Sequence, residues 1–102
     1  MKVHHISKEN FYSEVLSREG KVLLDFWAPW CAPCRMLGDV LEQVAAERPD
    51  VKVCKVNVDE EYELAVRYKV VSLPTLIVMD GGAMEDKLIG FRPKQEVLSL
   101  LA

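Results

Sequence analysis

Residues 21–35 read KVLLDFWAPWCAPCR, and two patterns meet inside them. Lys21 to Ala28 is a nearly continuous apolar run, which suits a central strand covered on both faces rather than a half-exposed alternating one. From Cys34 onward Leu37, Leu41, Val44 and Ala45 recur at helical spacing until Pro49, which cannot continue a helix. A helix is therefore expected from about 32 to 48. Trp27 to Arg35 bridges the two elements and places Cys31 at the helix N-terminus. Unpaired backbone N–H groups and the positive end of the helix dipole stabilise a thiolate there relative to a thiol. Cys34 follows one turn later, within disulfide reach, and Pro33 is tolerated because the first turn donates no intrahelical N–H bond. On this reading Cys31 attacks a disulfide and Cys34 resolves the product.

Two blander readings compete. A structural disulfide closing so short a loop contributes only about 2 kcal/mol on a loop-entropy estimate, so a staple at this spacing stabilises little. Half a zinc site would need four ligands, and the spare candidates are Cys54, His4 and His5, the last two adjacent on a strand and so pointing to opposite faces. A Cys-x-x-Cys pair near a βαβ pattern favours redox chemistry over both.

The flanking sequence supplies that pattern. Lys2 to Ile6 reads as a first strand and Lys8 to Arg18 as a helix burying Phe11, Val15 and Leu16, with Ser7 as its N-cap. Val51 to Val58 reads as a strand and Tyr62 to Tyr68 as a short helix. After Pro74, Thr75 to Met79 and Lys87 to Ile89 are strand-like runs joined through Asp80-Gly81-Gly82, a hairpin connection. A last helix starts near Pro93 and carries Val97, Leu98 and Leu101. The class is α/β with a mixed sheet of about five strands.

With 102 residues, half of them apolar, the chain fits one domain spanning 1–102. Its 13 Lys and Arg are outnumbered by 16 Asp and Glu, and no basic run exceeds one residue, so the electrostatic footprint of a nucleic-acid binder is missing. The longest purely apolar stretch, Leu76 to Met79, falls far short of the roughly 20 residues a membrane helix needs. Without a recognisable export signal, the expected compartment is the reducing cytoplasm.

At this point the chain resembles the thioredoxin family over essentially its full length. Phe26-Trp27-Ala28-Pro29-Trp30-Cys31-Ala32-Pro33-Cys34 is similar to the family's active-site segment, Ser72-Leu73-Pro74-Thr75-Leu76 to its proline turn, and Gly82 and Gly90 to its later glycines. The resemblance implies a thioredoxin fold, a five-stranded mixed sheet flanked by four helices. It also implies reduction of protein disulfides by a dithiol that thioredoxin reductase regenerates. Disulfide-containing client proteins would be the substrates, with no bound cofactor or metal and a monomer as the working form.

Asp25 stands in the middle of the apolar strand, where an isolated carboxylate is costly and its protonated form favoured. The matching family aspartate assists the second cysteine, so Asp25 is expected as general base for Cys34, with Lys55 beside it. The alternative is a structural acid paired with that lysine. By resemblance Pro74 is cis, and Trp30, Leu73, Ile89 and Gly90 form a docking surface on which the Leu73 backbone pairs with an extended client segment. Trp27 reads as structural.

Several positions depart from the family. Ala32 stands where glycine is usual, and together with Pro33 it tunes the redox poise. Gly38-Asp39 replaces a kinking proline, Lys69 a helix-ending glycine, and Phe91 a smaller residue. Cys54 reads as a small buried hydrophobe. The rivals to a reductase are a disulfide oxidase or isomerase, and a redox-inactive binding module on the same fold.

Overall fold

A computed structural model describes residues 3–102. Five strands, β1 (Val3–His5), β2 (Lys21–Trp27), β3 (Lys52–Asn57), β4 (Thr75–Asp80) and β5 (Ala83–Ile89), form one sheet in the order β1-β3-β2-β4-β5. Three α-helices, α1 (Ala32–Glu47), α2 (Tyr62–Arg67) and α3 (Lys94–Leu100), and a π-helix at Tyr12–Leu16 flank it. This is the thioredoxin fold expected, a mixed five-stranded sheet with four helices.

The central strand explains the topology. β2 pairs parallel with β3 and antiparallel with β4, so it is hydrogen-bonded on both edges. Val22, Leu23, Leu24 and Phe26 are buried, as a strand covered on both faces requires. Leu23 joins a core with Leu37, Leu41, Val44, Val97 and Leu101 under α1 and α3. Leu24 and Phe26 join a second with Phe11, Val15, Leu64 and Ile77 under the π-helix and α2. The alternation of β2 thus feeds two cores, and its C-terminal end delivers the chain to the cysteines.

The helix expected over Lys8–Arg18 is shorter and wider than its pattern predicts. Ser7 N–H donates to Asn10 Oδ1 (2.8 Å) and Asn10 N–H to Ser7 Oγ (3.3 Å), the reciprocal pair of a capping box, so Ser7 caps the turn at 8–10 that leads into the π-helix. The Ser17 N–H then reaches Tyr12 O, five residues back, which gives the π register. The first strand covers Val3–His5 of the expected span; Lys2 lies outside the described residues.

β5 begins at Ala83, four residues earlier than the sequence pattern indicates. As an edge strand exposed along most of its length, carrying Glu85, Asp86 and Lys87, it has no buried face to impose alternation. It follows a two-residue turn in which Gly81 and Gly82 have φ of +59° and +85°. A bulge between Val78 and Met79 bends the β4–β5 pair. At the end of α2, Lys69 takes φ +56°, its N–H donating to Val66 O while Val70 N–H reaches Ala65 O. This is a Schellman cap built with lysine where glycine is favoured. Lys87 Nζ donates to the Tyr68 and Lys69 carbonyls, both at 3.2 Å, and neutralises that helix end.

Candidate functional site

Beyond β2 the chain turns through Ala28-Pro29-Trp30. Cys31 N–H donates to Ala28 O (3.1 Å), and Arg35 reaches back from α1 to donate to Pro29 O (3.0 Å). Both bonds fix the turn against the first turn of the helix. Cys31 is the N-cap of α1, and its Sγ accepts the Cys34 N–H at 3.3 Å. A sulfur in the place where Ser or Asp caps other helices takes up one of the orphan amides, and a negative charge there is favoured over a neutral thiol. Cys31 and Cys34 are disulfide-bonded, with Cα atoms 5.2 Å apart. The sulfurs differ in access: Cys31 retains 6% exposure and Cys34 none. An incoming disulfide therefore meets Cys31 first.

Asp25 lies in β2, with 0% exposure and neither carboxylate oxygen hydrogen-bonded. Loss of hydration pushes its pKa up from 3.8 to about 7, with the Lys55 charge partly opposing the rise. Lys55 is its register partner on β3, yet the two form no ion pair; the ammonium lies 4.1 Å from the centroid of the Trp27 ring. The alternative of an acid paired with lysine thus lacks its contact. The Trp27 ring thus gives the Lys55 ammonium a platform.

Trp30 is 69% exposed. Its indole N–H donates to both Asp59 carboxylate oxygens, at 3.3 and 3.1 Å. Asp59 escaped the sequence reading because it lies 29 residues from its partner, and no local pattern signals such a contact. Trp30 and Leu73, with Val58, Tyr62 and Val71, line an open apolar depression of about 280 Å³. The Leu73–Pro74 peptide is cis. Thr75 Oγ donates to Ser72 O (2.6 Å) within this turn, and Gly90 N–H donates to Pro74 O (2.8 Å). The structure thus joins Ile89-Gly90 to Leu73-Pro74 through the backbone. Phe91, next to Gly90, is also exposed.

Ala32 opens α1, and Pro33 occupies its first turn. Gly38 leaves α1 unbroken from Ala32 to Glu47. Cys54 is buried in β3 beside the π-helix side of the sheet, its thiol pushed up to about 12 by loss of hydration. His4 is its register partner on β1. Among the described residues no group of three or more His, Cys, Asp or Glu side chains is placed to hold a metal ion. No helix among the described residues is long and apolar enough to cross a membrane.

Comparison with known proteins agrees with this geometry. The Thioredoxin family model matches residues 2–102. A thioredoxin of Mycoplasmoides gallisepticum is 42% identical over 97 residues, covering 95% of this chain and 97% of that protein. The thioredoxin of Bacillus subtilis is 41% identical over 102 residues, covering 99% and 96%. One from Chlamydia pneumoniae is 45% identical over 96 residues, covering 94% and 92%.

Proposed function

The chain belongs to the thioredoxin family and is a thiol–disulfide oxidoreductase acting as a protein-disulfide reductase, and from that premise we propose how its residues divide the work. Cys31 is the nucleophile. Its thiolate attacks one sulfur of a client disulfide, the client S–S bond breaks, and the departing client thiolate takes up a proton. Asp25, as carboxylate, removes the proton from Cys34. The Cys34 thiolate then attacks Cys31 Sγ, the mixed disulfide breaks, and the second client sulfur leaves as a thiolate that takes up a proton. Two electrons have passed to the client, and Cys31 and Cys34 are left oxidised.

The observation that carries this assignment is the placing of Cys31 Sγ as the α1 cap, with the Cys34 amide aimed at it and Cys34 itself sealed from solvent. Asp25 suits the proton transfer because a group near pH 7 is ionised often enough to accept a proton and basic enough to hold it. Lys55 tunes Asp25 through its charge, and Ala32 and Pro33 tune the couple by their place between the sulfurs. Trp30, Leu73, Pro74, Ile89 and Gly90 make the docking surface.

The dithiol carries the electrons itself, so no bound cofactor or metal enters the cycle. A thioredoxin reductase returns the electrons, and disulfide-containing proteins consume them. The chain works as one domain, as a monomer and in the cytoplasm. Single-turnover reduction of insulin tests the assignment. Wild type reduces it, Cys31→Ser is inert, and Cys34→Ser stops at a mixed disulfide; turnover by Cys31→Ser would overturn the roles.

A further inference from the structure

Ile89 and Gly90 share one peptide unit, and its N–H donates to Pro74 O at 2.8 Å. In a trans peptide the carbonyl points opposite to the N–H, so Ile89 O faces away from β4. There Arg92 Nη2 meets it at 3.0 Å. The same guanidinium reaches Glu96 Oε2 of α3 at 3.4 Å through Nη1. Arg92 Nε is buried without a hydrogen-bond partner. A guanidinium kept half out of water with one N–H unsatisfied carries a cost, which its other two contacts must offset. Both sides of the Ile89–Gly90 peptide are therefore held, one by the proline turn and the other by a side chain anchored to α3. At Gly90 the backbone has φ +94°, and a Cβ added there would meet nothing within 4 Å, so the space on that side of the unit is open.

We propose that Arg92 is a positioning residue for client docking: by clamping the Ile89 carbonyl it presets the peptide plane and the Ile89 side chain against which a client segment is aligned. This rests on the reading of Ile89 and Gly90 as docking residues. Preorganisation of this kind lowers the ordering cost that binding otherwise carries. It acts on substrates large enough to touch the docking surface and leaves the sulfur chemistry alone.

The test compares Arg92→Ala, Arg92→Lys and Ile89→Ala with insulin and with a small aromatic disulfide as substrates. From the strength of one charge-assisted bond at a half-exposed site, Arg92→Ala should lower kcat/KM for insulin roughly three- to tenfold through KM, with kcat held. The loss should be at least threefold larger than for the small disulfide. Exchange of the Gly90 amide should accelerate in parallel, and Arg92→Lys should recover part of both. If Arg92→Ala matches wild type on insulin while Ile89→Ala raises KM, the docking reading stands and the role of Arg92 is refuted. Should Ile89→Ala also match wild type, the docking reading itself fails and takes the proposal with it. An equal loss on both substrates would mark Arg92 as a fold residue and likewise overturn it.

Discussion

Replacing Asp25 by Asn separates proton chemistry from packing, because it keeps the shape of the buried acid and removes its charge. The folded protein holds the carboxyl at a pKa of about 7 against an ordinary value of 3.8. At 1.36 kcal/mol per pH unit this corresponds to about 4 kcal/mol of penalty for carrying the ionised group in the fold. The sign follows from proton counts. Between pH 3.8 and about 7 the native state keeps the proton that the unfolded chain has lost, so stability declines as pH rises through this window and levels off above it. Asn is never ionised and carries no such penalty. Asp25→Asn should therefore match wild type near pH 4 and exceed it by about 4 kcal/mol at pH 8, read from urea midpoints of the oxidised proteins. In the reduced form the variant should resolve the mixed disulfide more slowly. Parallel stability curves for the two proteins from pH 4 to 8 would refute the burial argument; equal resolution rates would leave Asp25 a structural acid.

Two further outcomes follow from single residues. Lys69→Gly should raise stability by roughly 0.5–1 kcal/mol, because φ +56° is strained for lysine and natural for glycine; a lower thermal midpoint would contradict the Schellman reading. Cys54, with its thiol near 12 and no exposure, should resist iodoacetamide at pH 8 in the oxidised folded protein and react once denatured, whereas alkylation at the rate of a free cysteine would show that β3 opens.

The most legible elements were those in which burial repeats along the chain. β2 announces itself because both faces are covered, and α1 because Leu37, Leu41 and Val44 share one face until Pro49 stops it. The cysteine pair was readable because its chemistry depends on local placement at a strand–helix junction. Lys69 stood out in the sequence as a departure from a helix-ending glycine, and the backbone there keeps the left-handed conformation all the same. Elsewhere the controlling contacts are remote or side-chain specific. The first helix takes the π register at Tyr12–Leu16, which its apolar spacing does not signal, and β5 is shaped by pairing with β4 rather than by a buried stripe. Asp59 and Arg92 matter through hydrogen bonds to Trp30 and Ile89 that no spacing rule reveals.

Among the described residues, the border formed by β5 is the longer of the sheet's two margins, seven residues against three in β1. A long open margin invites a neighbouring molecule to continue the ladder, the first step toward fibrous assembly. Here three successive charged residues, one of them tied to Lys21, and the distortion in the adjoining strand pair make that continuation unfavourable. On the proposed reading, in which the Leu73 backbone pairs with client segments at one end of the sheet, the flank is thereby guarded against the same kind of pairing with a second copy.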